Sequence, residues 1–294
     1  MIIEPNEPCS PHPDDNYRQP DWLLPYAQGS RTGYAQAVRA YADYYCVDGT
    51  ADCDPEVEER ISISRTPLVP YASRTGTKQN LAAMRANGWR LLVSAKGVLR
   101  TEGMPYALDN GAWSAFTQNQ PFDVPAFERA FDLLGERADW VVLPDIVAGG
   151  LKSLDFSLRW LERLKDCPVK LLLAVQDGMR PDDVREYLSP AVGLFVGGST
   201  EWKLKTLHAW GFLARRRNCH LHVGRVNSAK RILLCSAAGG AHSVDGTSAS
   251  MYSKTVAPLT AAVKLGHDQA DFLSPNGQDF ESTPFDCGWP RDLC

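Results

Sequence analysis

Five places in the chain put a polar group or a glycine pair directly after a short apolar run. They are Asp109 in LDNGAW, Asp145 in VLPDIVAGG, Gln176 in LLLAVQDG, Gly197-Gly198 in FVGGST and Asp245 in HSVDGTSAS. Two carboxylates that face one substrate suit a displacement, because one can attack carbon while the other moves a proton. Two successive glycines remove side chains where backbone N–H groups must come close to an acceptor. An isolated Asp after a strand serves equally well as the cap of the following helix or turn. A shared position for all five is the reason to group them.

That shared position follows from the elements that carry them. From residue 68 the chain alternates short apolar runs with amphipathic stretches, the pattern of strands and helices around a parallel sheet. Strands are predicted at 68–71, 91–94, 106–109, 140–143, 170–175, 193–196, 220–224 and 241–245, and helices at 77–87, 123–136, 152–165, 181–188, 200–217 and 227–238. The link between the second and third strands is too short for a full helix, and the helix after residue 257 is weakly patterned. Eight strands without a GxGxxG or Walker loop favour a closed (β/α)8 barrel of the TIM type, in the α/β class, over an open nucleotide-binding sheet. In such a barrel the carboxyl ends of the strands form one mouth, which would gather Asp109, Asp145, Gln176, Gly197, Gly198 and Asp245. Asp and Gln together suit guanine, whose N1–H and exocyclic amine need an acceptor. Residues 1–60 read as an irregular N-terminal extension with a short helix near 34–45, residues 61–265 as the barrel and 266–294 as a C-terminal tail.

Composition bounds the partners. A chain of 294 residues with 44% hydrophobic types can bury a one-domain core. The formal net charge of −4 gives no global attraction to a polyanion, so nucleic acid would have to meet a local cluster of cations. Arg74, Lys96, Arg100, Arg225 and Lys230 follow strands and are the expected phosphate contacts around the mouth. Arg215, Arg216 and Arg217 close a helix on the opposite face, where their charge suits a helix C-terminus. The eight cysteines form no regular framework, and the start MIIEPNEPCS lacks the basic and apolar regions of a signal peptide, so a cytoplasmic protein is expected. No apolar run approaches a membrane span. Cys219, His220 and His222 invite a metal, but they alternate along one strand and no second cluster completes a tetrahedral set, so none is expected. His222, near a strand end, is expected to line the mouth instead.

The motifs LDNGAW, VVLPDIVAGG, LLLAVQDG, FVGGSTEWK and SVDGTSAS, in this order, resemble the tRNA-guanine transglycosylase superfamily, and most closely its phage DNA-guanine transglycosylase branch. The resemblance covers roughly residues 65–255. It implies replacement of guanine in DNA by a 7-deazaguanine base of the preQ0 type, with no cofactor. It implies that Asp245 is the nucleophile at C1′ and Asp109 the proton-transfer group. Asp145 and Gln176 would hold the base edge, Gly197 and Gly198 its carbonyl, and Trp113, four residues after Asp109, its face. If the gene belongs to a phage, the host cytoplasm is the implied compartment. The tRNA enzymes carry a CxCxxC zinc group with a later His beyond the eighth strand, whereas this chain has only Cys287, Cys294 and His267 there. That departure, together with the resemblance of SVDGTSAS and HLHVGRVNSAKR to the phage branch, is why DNA is expected rather than tRNA. Two alternatives stay open: a tRNA-guanine transglycosylase, or a nucleoside or N-glycoside hydrolase using the same carboxylates with water. A non-catalytic barrel would not need both Asp109 and Asp245. Whether the chain works alone or as a homodimer is not encoded in these motifs.

Overall fold

The structure is a computed structural model that describes residues 67–237 and 240–271, excluding the side chains of 237 and 266–271. All of them fall in one compact unit, Ile63–Cys294. The expected helix at 34–45, and Cys287, Cys294 and the His267 side chain, lie outside the described residues.

Eight parallel strands close on themselves in chain order, the eighth pairing with the first. They are β1 Val69–Ser73, β2 Arg90–Ser94, β3 Tyr106–Asp109, β4 Val141–Val142, β5 Leu171–Val175, β6 Val192–Val196, β7 Leu221–Val223 and β8 Ser243–Gly246. Helices α1 Lys78–Ala86, α2 Ala112–Thr117, α3 Val124–Leu134, α4 Leu151–Leu164, α5 Pro181–Val184, α6 Thr200–Arg216, α7 Ala229–Ala237, α8 Ser248–Met251 and α9 Val256–Asp271 follow or join them. Alternate strand residues point inward, and Tyr71, Leu92, Ala107, Trp140, Val142 and Leu172 fill the lumen. Their neighbours, such as Leu91, Leu108, Val141, Leu171 and Leu221, join the layer under the helices. Both faces of each strand are therefore dry, which is why the strands read as continuous apolar runs rather than alternating ones.

The predicted strands are present with ends shifted by a residue or two. β4 is shorter than its apolar run because Pro144, lacking an N–H, cannot extend the ladder. The last helix runs to Asp271, past the expected barrel boundary at 265, and packs against α7. Helices α2 and α8, too short to show a period, were not expected.

The end of the barrel opposite the mouth is closed by polar groups. Tyr71 donates its hydroxyl to Asp139 Oδ2 (2.8 Å), and Arg90 pairs with Asp139 Oδ1 at 2.7 Å. At the same end α6 stops at Arg216, and the next residue, Arg217, donates twice to the Leu188 carbonyl (3.1 and 2.9 Å). Arg217 thus ties the end of α6 to the segment that leads into β6.

Candidate active site

Asp245 projects from β8 into the top of the lumen and is 6% exposed. Its Oδ2 meets His222 Nε2 at 2.9 Å, and its Oδ1 accepts from the Arg225 backbone N–H at 3.3 Å. Glycine at 224 makes room for this: a Cβ there would lie 2.8 Å from the Phe195 ring and 3.2 Å from Asp245 Oδ2. Asn227 fixes the turn beyond β8 by accepting from Thr247 N (2.8 Å) and Ser248 N (3.2 Å). His222 does not line the mouth, as its place near a strand end suggested. It is fully buried one layer below Asp245, stacked on Phe195 with 4.9 Å between ring centroids. The register explains the correction, since β7 pairs His222 with Ser243 rather than with Asp245.

Asp109 ends β3 opposite Ser94 of β2, and its Oδ2 accepts from Gly111 N (3.1 Å). Burial pushes its carboxyl up to about 6, opposed by the Ser94 hydroxyl and the Gly111 N–H and reinforced by the negative charge of Asp245. Asp145, in the loop after β4, is also pushed by burial up to about 6, opposed by a hydrogen bond from Asn110 and reinforced by Asp109. Asp109 thus feels the charge of Asp245 and is felt in turn by Asp145. Asn110, buried next to Asp109, donates to Asp145 Oδ1 and to the Leu143 carbonyl, both at 2.7 Å, and accepts from Ala112 N at 2.8 Å. From below, α4 holds the Asp145 loop, with Ser153 Oγ accepting from Ile146 N (2.9 Å) and Ser157 donating to the Pro144 carbonyl (2.8 Å). Gln176, buried just after β5, donates its amide to the Ile146 carbonyl (3.0 Å), and its oxygen has no hydrogen-bond partner among the described residues.

The glycine pair divides. Gly197 N–H is taken by the Val175 carbonyl (2.9 Å), so it cannot serve as the expected donor to a bound carbonyl. Gly198 lies past the strand with φ +69°, where a Cβ would come 2.6 Å from Asp177 Oδ2 and 2.8 Å from the Trp202 ring. Its N–H is the one of the two that the sheet does not use. Trp113, on α2, is 46% exposed and so is not core filler. The Arg225 guanidinium sits 4.4 Å from its ring and also donates to the Gly198 carbonyl.

The expected phosphate contacts fare unevenly. Arg225 is committed to Trp113 and Gly198, so its first role is to build the rim. Arg74 and Arg100 share Glu102, at 2.6 and 3.6 Å. Lys96 reaches Gln120 Oε1 (3.0 Å) and Asp123 (3.5 Å). Lys230 is exposed at the start of α7.

Three positioning groups were missed from sequence. Asn110 follows Asp109 directly in LDNGAW, and Asn227 lies between β7 and α7. Lys203, on the inner face of α6, is buried and donates to the Gly224 carbonyl; burial lowers its amine to about 8. Cys219 belongs to the layer under the helices, while His220 and His222 are taken up by Ser243, and among the described residues no cluster of three His, Cys, Asp or Glu could hold a metal ion. Among the same residues no helix is long and apolar enough to cross a membrane.

No protein-family model matches the chain. Comparison with curated proteins likewise gives no match. Solved structures with a similar fold include a putative fructose-1,6-biphosphate aldolase from Coccidioides immitis, at 10% identity and TM-score 0.47 over 73% of this chain and 92% of that one. Tryptophan synthase from M. tuberculosis is 12% identical with TM-score 0.45, over 73% of this chain and 97% of that one. A 4-hydroxy-2-oxoglutarate aldolase is 15% identical with TM-score 0.43, over 69% and 94%. At this distance the likeness concerns barrel architecture and not the reaction.

Proposed function

We propose that this barrel is a base-exchange transglycosylase that replaces guanine in DNA with a 7-deazaguanine base. The observation that carries the proposal is the unlike setting of two carboxylates at one mouth. Asp245 is held at both oxygens, by His222 Nε2 and by the Arg225 backbone N–H, the setting of a nucleophile kept in place. Asp109, pushed up to about 6, exchanges a proton near neutral pH.

In the first half-reaction an Asp245 oxygen bonds to C1′ while the C1′–N9 bond breaks. The electron pair leaves with guanine, which takes a proton from Asp109. In the second, Asp109 takes the N9 proton of the incoming base, N9 bonds to C1′, and the carboxylate leaves. Asp145 and the Gln176 oxygen are acceptors for N1–H and the exocyclic amine, with Trp113 as the stacking face. Because the base must leave its helix to reach them, a duplex substrate would be flipped. DNA as the polymer rests on the sequence resemblance.

The test incubates the full chain with labelled preQ0 and either DNA or tRNA, followed by mass analysis of the nucleosides and a denaturing gel for covalent complex. Label in DNA is expected, with adduct and exchange both lost in Asp245→Asn. Label in tRNA alone would remove DNA as the substrate. Abasic sites without incorporation would make the protein a hydrolase, and adduct in Asp245→Asn would remove the nucleophile.

A further inference from the structure

Below Asp245 a chain of hydrogen bonds runs down through the lumen. His222 Nε2 lies 2.9 Å from Asp245 Oδ2, His222 Nδ1 lies 2.8 Å from Ser243 Oγ, and Ser243 Oγ lies 2.7 Å from His220 Nε2. Proton directions follow from what each atom can do. A carboxylate oxygen only accepts, so His222 Nε2 carries the hydrogen. His222 is fully buried among Phe195, Trp140 and Tyr71, where a charged imidazolium is disfavoured, so its Nδ1 is bare and accepts from Ser243. The Ser243 oxygen then accepts from His220 Nε2–H. Each link leaves the next only one role.

We infer that His222 is a positioning residue for the nucleophile: locked in its Nε2–H tautomer by Ser243 and His220, it fixes the Asp245 carboxylate through Oδ2 and leaves Oδ1 to attack. This rests on the assignment of Asp245 as nucleophile. Oδ2 is clamped on the buried side, whereas among the described residues Oδ1 accepts only the longer 3.3 Å hydrogen bond from Arg225 N–H. When Oδ1 bonds to C1′ and the C1′–N9 pair leaves with guanine, Oδ2 becomes the ester carbonyl and keeps its bond from His222. The His222 proton does not move in either half-reaction, which sets its role apart from that of Asp109.

Two measurements on the full chain test this. Nitrogen NMR of the imidazoles at neutral pH should show His222 and His220 as neutral Nε2–H tautomers; a charged or Nδ1–H His222 would overturn the inference without any assay of activity. For function, single-turnover adduct formation is compared in His222→Leu, His222→Gln and Ser243→Ala, with base affinity measured alongside. His222→Leu should slow adduct formation roughly 10- to 100-fold, as loss of a hydrogen bond to a charged group does, with base affinity unchanged. His222→Gln, which can restore an N–H near the same place, should recover most of the rate. Ser243→Ala leaves Asp245 untouched and should free the tautomer, giving a smaller loss together with mixed imidazole signals. Full rate in His222→Leu, or no recovery in a folded Gln variant, would overturn the inference. If His222→Leu does not fold, a single Nε2–H tautomer persisting in Ser243→Ala would do so. A wild-type chain that forms no adduct would instead overturn the transglycosylase proposal, with the NMR result still deciding how His222 is held.

Discussion

Asp109 and Asp145 differ from ordinary aspartates in the same way, because burial makes their charged forms costly in the folded chain. Each has a carboxyl near 6 when folded against an ordinary value of 3.8. Between those two values the folded chain binds protons that the unfolded chain has released. Their contribution to stability is therefore full below about 4, falls as pH rises through about 6 and stays lost above it. Melting temperature from this pair should be higher at pH 5 than at pH 7. Asp145→Asn keeps an oxygen for Asn110 and removes one charge, so it should raise the pH 7 melting temperature by about 2–4 °C, the shift that ~1 kcal/mol gives a barrel of this size. Thermal denaturation at pH 5, 6 and 7 checks it; a variant that melts below wild type at pH 7 would show that the charge is compensated. The mouth thus spends stability on two carboxyls that titrate near neutrality.

At the level of strands and loops, close approaches between neighbouring strands depend on small residues. A Cβ at Gly193, inside β6, would fall 2.4 Å from the His220 carbonyl and 2.7 Å from Leu172. Gly193→Ala should therefore cost about 1–3 kcal/mol by overpacking. It should also disturb His220 at the foot of the hydrogen-bonded chain. Denaturant unfolding gives the first effect and imidazole NMR the second, and a variant as stable as wild type would mean that β6 can shift aside. Much of the frame was legible in the sequence because a strand buried on both faces announces itself as an unbroken apolar run, and polar strand ends such as Asp109 and Asp245 mark the mouth. What was not legible depends on register and on side-chain reach. Nothing in HLHVG tells which residue of β8 faces His222, so its place near the strand end points one layer too high. No sequence shows that the Val175 carbonyl already takes the Gly197 N–H, so both glycines look equally available as donors. Lys203 falls within the predicted helix 200–217, and its long chain can turn inward only once Gly224 offers a carbonyl.

For the whole molecule, a net charge of −4 and the pairing of Arg74, Arg100 and Lys96 with acidic side chains argue against a broad clamp on phosphates. Binding to DNA should weaken with salt by a shallow slope. Lys230→Gln should take roughly 0.9 from that slope if Lys230 meets a phosphate, and Arg74→Gln should leave it unchanged. Fluorescence anisotropy across a salt series separates the two, and a steep slope that falls with Arg74→Gln would show that Glu102 gives up its partner on binding. The seal formed by Tyr71, Asp139 and Arg90 bears on traffic. If the chain exchanges bases as proposed, the closed floor and the filled lumen send both through the doorway above Asp245, and the covalent intermediate makes them take turns. Exchange should therefore obey ping-pong kinetics, with parallel lines in double-reciprocal plots and free guanine competing against the incoming base. Intersecting lines would mean that two bases wait in the vestibule together.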